Sequence, residues 1–250
     1  MQGRKIFLDT ETTGLFPEKG DRVLDIACVE MIDGKLTNNN YQAYVNPERD
    51  SNPIALACHG LTTEFLSDKP KFADVSDKFL EYIKGAELII QKASFDVGFL
   101  DNELKLIGKD KLETYCDKIT CNKVLARALY TDGFLTKELL SRKLVEDEKH
   151  VKPLREKYGD DDSKIIAELV KNPRFRVHSL DHLCKYFKID LQSREQHHGA
   201  LIDCLLLAKV YTSLQGVKKT CLSLRKSHLF SENKTVQSDE ESKSDLSLKI

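Results

Sequence analysis

Two acidic residues near the start of the chain, Asp9 and Glu11, have the type and spacing of a cation site. The apolar run Ile6-Phe7-Leu8 directly precedes them and predicts a short buried strand. Residues two positions apart on a strand point to the same face, so the two carboxylates are expected side by side. Such a pair repels unless a cation neutralises it, and its oxygens suit a hard divalent ion such as Mg²⁺. Two solvated turn residues are the alternative, and the apolar strand before the pair favours the metal site.

Asp203 lies inside the most apolar segment of the chain, the run from Ala200 to Ala208. Leucine, isoleucine, alanine and cysteine surround it, which predicts a helix that carries a partly buried carboxylate. Burying an unpaired charge is costly, so this group must be protonated, paired with a basic side chain or bound to a metal. The residues alone leave a salt bridge and a metal site equally open.

Asp96 and His198 each lie near the start of an expected helix. An acid such as Asp96 in the first turn is also favoured by the helix dipole alone, which is the alternative to a metal ligand. His198 precedes Asp203 by about one helical turn, from where it could reach a metal-bound water and act as a general base. Spacing alone does not exclude its neighbour His197 as the base. For both histidines the alternative is an ordinary surface or core residue with no catalytic role.

The secondary-structure elements that position these residues follow a clear order along the chain. The first predicted elements are strands, and strands mixed with helices follow. Short apolar runs predict strands at residues 5–8, 23–29, 41–45 and 87–90. Helical apolar spacing predicts helices at residues 72–83, 94–107, 120–129, 179–187 and 198–214. Asp33-Gly34 predicts a hairpin, Asn52-Pro53 a break in the chain, and Ser94 a helix N-cap. This order indicates an α/β fold with a mixed sheet flanked by helices.

Two stretches differ in composition from the rest of the chain. Residues 132–176 are rich in charges of both signs, which indicates an inserted, solvent-facing helical excursion. From residue 216 onward serine, lysine and acidic residues dominate, as in tails that are flexible in isolation. We therefore expect one domain over residues 1–215 with a charged helical insertion, followed by a tail over residues 216–250.

Composition excludes several classes of protein. The 250 residues include 39 basic and 40 acidic side chains, unlike the strongly basic architectural nucleic-acid binders. Apolar residues make up 40% of the chain, enough for a core, which excludes disorder over the full length. We expect no membrane association, because neither a signal peptide nor an apolar run of about 20 residues is evident. Seven scattered cysteines without a Cys-x-x-Cys pair favour a reducing, cytoplasmic location.

Three segments of the chain together resemble the motifs of the DEDDh family of 3′→5′ exonucleases. The segments are Asp9-Thr10-Glu11-Thr12-Thr13-Gly14, Ser94-Phe95-Asp96-Val97-Gly98-Phe99 and His198-Gly199-Ala200-Leu201-Ile202-Asp203. Within that family the chain resembles, more narrowly, the epsilon, or proofreading, subunits of bacterial DNA polymerase III. The similarity covers residues 4–131 and 177–214, which leaves out the charged insertion and the tail.

This resemblance implies a ribonuclease H-like fold and hydrolysis assisted by two divalent cations, Mg²⁺ or Mn²⁺. The implied metal ligands are the four carboxylates Asp9, Glu11, Asp96 and Asp203, and the implied general base is His198. The implied reaction releases nucleoside 5′-monophosphates from a 3′ end. The sequence therefore predicts a metal-dependent exonuclease.

The same resemblance implies where the substrate lies and what the protein binds. Asp9, Glu11 and Asp203 would also contact the substrate, and Thr13, Gly14 and His59 would lie near the terminal nucleotide. The implied partners are DNA with a single-stranded or frayed 3′ end, the polymerase III catalytic subunit and other holoenzyme subunits. The tail after residue 216 is a candidate polymerase-binding segment, although it is shorter than usual for an epsilon subunit.

Gln91-Lys92 is a departure from the family pattern, which carries His-Asn at this place before the second motif. We expect this change to affect substrate positioning rather than metal binding. Two other functions remain alternatives: a DEDDh exoribonuclease and a weakly catalytic scaffold that binds the polymerase. Because a scaffold has no need for clustered, repelling acids, the carboxylate set favours an active enzyme.

Overall fold

A computed structural model describes residues 3–131, 148–159, 161, 164–165, 168, 179–191 and 199–216. In this part of the chain six strands form one mixed sheet. The strands are β1 (Lys5–Thr12), β2 (Val23–Ile32), β3 (Lys35–Leu36), β4 (Tyr41–Tyr44), β5 (Glu87–Ile90) and β6 (Lys118–Cys121). The predicted α/β class with a mixed sheet is confirmed.

Helices cover both faces of the sheet. They are α1 (Pro53–His59), α2 (Thr63–Leu66), α3 (Phe72–Ile83), α4 (Ala93–Leu106), α5 (Asn122–Thr131), α6 (Glu148–Tyr158), α7 (Leu180–Tyr186) and α8 (residues 200–216). Short 3₁₀ turns lie at Pro17–Lys19 and Leu112–Thr114. None of the helices in the described ranges has the length and apolar character needed to span a bilayer.

Strand β1 lies at the centre of the sheet and positions the first acidic motif. It pairs with β2 on one side in antiparallel fashion and with β5 on the other side in parallel, and β6 extends the parallel part. Strands β3 and β4 pair with different parts of the outer edge of β2. Strand β1 runs past the predicted end at Leu8 to Thr12, so Asp9 and Glu11 are both strand residues.

Two hydrophobic clusters lie on the two faces of the sheet, because alternate residues of β1 and β2 point in opposite directions. Phe7 and Ala27 belong to the cluster under α7 and α8. Leu8 and Cys28 belong to the cluster under α3 and α4. Asp9 and Glu11 follow the alternation of Phe7, so they point to the face covered by α8.

Several local predictions agree with the structure and several do not. The hairpin at Asp33-Gly34, helix α3 and strand β5 lie where they were predicted. The predicted N-cap at Ser94 is wrong, because α4 already begins at Ala93 with Lys92 at the cap position. Strand β6 was missed, because its four residues carry a lysine and a threonine and were partly assigned to the next helix.

Helix α1 was not predicted either, because Asn52-Pro53 was interpreted as a break between secondary-structure elements. The Asn52 side chain accepts a hydrogen bond from the backbone N–H of Ile54 (2.9 Å), and Pro53 occupies the first helical position. Both residues are favoured at a helix start, so the pair begins a helix instead of only ending the preceding segment. The predicted insertion at 132–176 is helical at α6, whereas the tail from 217 onward lies outside the described residues.

Candidate active site

Three of the predicted metal ligands converge at one place in the fold. Asp9 and Glu11 come from β1 and Asp203 comes from α8, and each offers one carboxylate oxygen within 4.8 Å of the others. Asp203 is 6% exposed, whereas the other two are half-buried. Three clustered carboxylates repel one another, and hard divalent cations prefer such oxygen ligands. The donor set therefore fits the divalent cation that the sequence predicts.

Packing between α8 and the sheet brings Asp203 to the strand residues. The Cys204 thiol donates to the backbone carbonyl of Ala27 on β2, with a sulfur-to-oxygen distance of 3.2 Å. Farther along the helix, the Tyr211 ring packs edge-on against Phe7 of β1, with ring centroids 5.6 Å apart. Both contacts lie on the face to which Asp9 and Glu11 point, so the apolar surface of the helix directs Asp203 to the same place.

Asp96 of α4 occupies a different position from the other three acids. It is 3% exposed, and its Oδ1 accepts hydrogen bonds from the backbone N–H (3.1 Å) and the hydroxyl (2.8 Å) of Thr10. Burial raises the pKa of Asp96 to about 7, although the hydrogen bonds from Thr10 lower it. Thr10 lies between Asp9 and Glu11, so Asp96 contacts the strand that carries both ligands without joining their cluster.

An ion pair holds α4 in place behind Asp96. Arg22 donates from Nε and Nη2 to the two oxygens of Glu103, at 2.7 and 2.8 Å, and the backbone N–H of Val23 donates to the same carboxylate. Glu103 lies two turns after Asp96 on α4 and is 1% exposed. This bidentate contact ties the helix to the start of β2. Sequence reasoning missed it, although a glutamate inside the apolar stripe of a helix is the signal that could have found it.

The loop after β1 contains the predicted substrate residues Thr13 and Gly14. The Thr13 backbone N–H donates to the carbonyl of Arg22 (2.9 Å), and the Arg22 N–H donates to the Thr13 hydroxyl (3.0 Å). The Thr12 hydroxyl donates to the carbonyl of Gly14 (2.7 Å). These bonds fix the backbone that leaves β1.

Asp21 packs directly beneath this loop. Its carboxylate accepts from the backbone N–H of Phe16 (3.0 Å) and pairs with Arg49 (3.2 Å), which also donates to the carbonyl of Gly20. A side-chain carbon added at Gly14 would lie 2.2 Å from Asp21 Oδ2, far inside contact distance. Gly14 is therefore required here because the Asp21 carboxylate fills the space of a side chain.

Replacing Gly14 with alanine is expected to raise about tenfold the KM for the DNA substrate that the sequence resemblance implies, because the loop and Asp21 must move apart. Overpacking of this kind also costs about 1–3 kcal/mol of stability. Steady-state kinetics and thermal melting measure the two effects. The matched control is Gly98→Ala in α4, where nothing lies within 4 Å of the added carbon. An unchanged KM in Gly14→Ala would show that the loop has no part in DNA binding.

His59 ends α1 and is 4% exposed. Its Nδ1 accepts a hydrogen bond from the backbone N–H of Leu61 (3.0 Å), and burial lowers the pKa of the imidazole. The ring is therefore neutral with its proton on Nε2, which has no hydrogen-bond partner among the described residues. At the other end of α1 the backbone N–H of Asn52 donates to the carbonyl of Thr13 (2.7 Å). The helix that carries His59 is thus bonded to the loop after β1.

Gln91, one of the two residues that depart from the family pattern, follows directly after β5. Its side-chain oxygen accepts from the Asn122 amide (2.7 Å), which begins α5 after β6. Lys92 is exposed, and its ammonium group lies 5.0 Å from the centroid of the Phe95 ring. Both residues lie at the carboxyl ends of parallel strands, the same edge at which Asp9 and Glu11 stand on β1.

His198 and His197 lie outside the described residues. The description resumes at Gly199, whose carbonyl accepts from the backbone N–H of Asp203 (3.0 Å) in the first turn of α8. The role of His198 as general base stays a prediction.

A protein-family model described as "Exonuclease" (RNase_T) matches residues 6–151, which is more than half of the chain. The DNA polymerase III subunit epsilon of Salmonella typhimurium is 37% identical over 219 residues, covering 85% of this chain and 72% of the relative.

The chain belongs to the epsilon-type exonuclease family. The Escherichia coli epsilon subunit is 35% identical over 219 residues, and that of Rickettsia conorii is 37% identical over 221 residues. These matches cover 85% and 88% of this chain, and 72% and 77% of the relatives. This member of the epsilon-type family is a metal-dependent 3′→5′ exonuclease of the proofreading type.

Solved structures of other exonucleases share the fold of this epsilon-type chain. Exonuclease X in complex with 5′ overhanging duplex DNA aligns with a TM-score of 0.53 at 23% identity, covering 85% of this chain and 91% of the other. Escherichia coli exonuclease I in complex with a dT13 oligonucleotide aligns with a TM-score of 0.63 at 16% identity, covering 89% and 43%. The predicted ribonuclease H-like architecture agrees with these neighbours.

Proposed function

We propose that this exonuclease removes mispaired nucleotides from the 3′ end of DNA as a subunit of a bacterial replicative polymerase. The observation that carries the proposal is the convergence of Asp9, Glu11 and Asp203. The names of the relatives, all subunits of DNA polymerase III, support the polymerase as partner. The DNA complexes of the fold neighbours support a nucleic-acid substrate.

Asp9, Glu11 and Asp203 would hold the divalent cations, and Asp96 would complete the set from α4. We infer Mg²⁺ or Mn²⁺ as the ions, because all four donors are carboxylates. When bound, two such ions polarise the scissile phosphate, activate the attacking water and stabilise the leaving 3′-oxygen.

The remaining steps belong to side chains and backbone groups of the chain itself. His198 would accept a proton from the attacking water at an imidazole nitrogen while the oxygen of that water bonds to phosphorus. The bond from phosphorus to the 3′-oxygen breaks, and the 3′-oxygen takes up a proton. The product is a nucleoside 5′-monophosphate. Thr13, Gly14 and His59 would orient the terminal nucleotide, which the hydrogen bond from α1 to the loop supports.

Frayed or mispaired ends should be preferred over paired ends, because a single strand enters such a cleft without the cost of unpairing. We expect purified protein with Mg²⁺ or Mn²⁺ to shorten a 5′-labelled primer with a 3′ mismatch several-fold faster than the paired primer. A chelator should abolish both reactions, and chromatography should identify 5′-mononucleotides. Equal rates on the two primers would contradict selection by fraying.

Two outcomes of related experiments would favour the alternatives. Faster digestion of an RNA strand of equal length and sequence would indicate an exoribonuclease. Full-length protein that binds the polymerase catalytic subunit in a pull-down, but degrades no strand, would indicate a scaffold. A parallel pull-down without residues 217–250 tests whether the tail carries the polymerase-binding segment.

A further inference from the structure

The pairing between β1 and β2 is irregular at the point where the loop after β1 begins. Glu11 pairs with Asp25, but the next residue of β1, Thr12, pairs with Val23, so the register skips Leu24. An extra residue on one strand of an antiparallel pair is a β-bulge, which bends the strand and changes the direction of the side chains beside it. The bulge therefore lies directly between the carboxylate cluster and the loop.

Glu103 of α4 holds the β2 side of this bulge. The backbone N–H of Val23 donates to Glu103 Oε1 (3.1 Å). The guanidinium group of Arg22 donates from Nε and Nη2 to the two oxygens of the same carboxylate, at 2.7 and 2.8 Å. Glu103 is 1% exposed, so water does not compete for these three charge-assisted bonds. One buried carboxylate thus fixes two consecutive residues at the start of β2.

Arg22 connects this anchor to the loop after β1. The Thr13 backbone N–H donates to the carbonyl of Arg22 (2.9 Å), and the Arg22 backbone N–H donates to the Thr13 hydroxyl (3.0 Å). The residue whose side chain binds Glu103 is therefore the residue whose backbone binds Thr13. A continuous series of hydrogen bonds joins α4, the start of β2 and the loop.

Stability alone does not require an ion pair at this place. Apolar side chains of similar volume often stabilise a fold as well as a buried ion pair or better, because the charges lose their hydration. An apolar pair, however, cannot accept a hydrogen bond from the Val23 N–H. What the carboxylate of Glu103 adds is therefore a fixed backbone position at the bulge.

We propose that Glu103 is a positioning residue for the substrate, which acts through Arg22 and the bulge to fix the loop that carries Thr13 and Gly14. The proposal rests on the proposed function, in which this loop orients the terminal nucleotide. Glu103 acts through the backbone and is neither a metal ligand nor a catalytic residue.

Two variants and one control test this role. Arg22→Met leaves the Glu103 charge buried without its cation, so it should lose both stability and the position of the loop. The double variant Arg22→Met/Glu103→Leu replaces the ion pair with apolar side chains, which should restore stability but leaves the Val23 N–H without its acceptor. The matched control is Glu30→Gln. Glu30 is a buried carboxylate on the same strand that pairs with Arg4 (2.6 Å), roughly 23 Å farther along β2.

The readouts are KM and kcat on single-stranded DNA, Mn²⁺ affinity by calorimetry, amide hydrogen exchange at residues 12–14, and melting temperature. Both Arg22→Met variants are expected to raise KM about tenfold, with a smaller change in kcat and with Mn²⁺ affinity unchanged. Both should also exchange faster at residues 12–14. The double variant should melt at a higher temperature than the single variant. Glu30→Gln should lower the melting temperature alone.

The proposal is overturned if the double variant recovers the wild-type KM together with its melting temperature, because the ion pair would then serve stability alone. It is equally overturned if Mn²⁺ affinity falls as much as KM rises, because the pair would then position the carboxylate cluster.

Wild-type protein that degrades no DNA would contradict the proposed function instead. Hydrogen exchange still decides the positioning role in that case. Faster exchange at residues 12–14 in the double variant would support it, and exchange equal to wild type would refute it.

Discussion

Replacing Asp9 with asparagine is expected to lower kcat on a mismatched primer by about 10³-fold. Asp9 lies in the cluster with Glu11 and Asp203, and an amide cannot supply the charge that holds a divalent cation there. Loss of one of three repelling charges should at the same time raise the melting temperature of the metal-free protein by about 2–4 °C. Denaturing gels that follow shortening of the 5′-labelled primer, and thermal melting, measure the two effects.

The matched control for Asp9→Asn is Asp33→Asn. Asp33 is an exposed acid in the turn after β2 with a φ of 49°, a conformation that asparagine tolerates well. We expect this control to keep both activity and stability. Wild-type kcat in Asp9→Asn would show that the cluster is not the reaction centre, whereas a lower melting temperature would show that the three charges do not repel in the folded protein.

His198→Ala is expected to lower kcat by about 10²–10⁴-fold, the usual contribution of a general base. His197→Ala makes the same substitution at the neighbouring histidine and should retain activity. Comparing the two variants decides which histidine is the base, because sequence spacing does not distinguish them. Mn²⁺ affinity should be similar in both variants, because the carboxylates are untouched.

The pH dependence gives a second readout for the histidine. A base must be neutral to accept a proton, so the wild-type rate should fall as pH drops through the histidine pKa. The part of this acidic limb that comes from the histidine should disappear in His198→Ala, whereas the part that comes from Asp96, whose pKa burial raises to about 7, should remain. If His197→Ala loses activity and His198→Ala keeps it, the assignment of the base is reversed.

Long apolar elements were predictable because burial dictates their sequence pattern. The run Val23–Val29 and the amphipathic spacing of Phe72–Ile83 gave β2 and α3 with small errors at the ends. The structure differs from the sequence predictions at elements that are held by strand pairing or by a helix cap and not by burial of a long apolar run. Strand β6 is held by parallel pairing with β5, and α1 by its cap at Asn52, and neither has a long apolar pattern.

Those parts of the site were predictable whose side-chain direction or burial is determined within a single strand or a single helix. The spacing of Asp9 and Glu11 places them on one face, and the apolar neighbours of Asp203 indicate its burial. Contacts between distant elements carry no such local signal. The hydrogen bonds from Thr10 to Asp96 and from Cys204 to Ala27 depend on how α4 and α8 pack on the sheet.

The carboxylate cluster joins the first strand of the sheet to the last described helix, because Asp9 and Asp203 are far apart in the sequence and meet only in the folded domain. A nascent polypeptide emerging from the ribosome would therefore carry Asp9 and Glu11 long before α8 is available. With the cations held by these carboxylates as proposed, hydrolytic competence would arise only once α8 has packed on the sheet, so an unfinished chain would not attack DNA. Cation binding at this junction would also favour the fully folded state by mass action, which would link the supply of divalent ions in the cell to the lifetime of the protein.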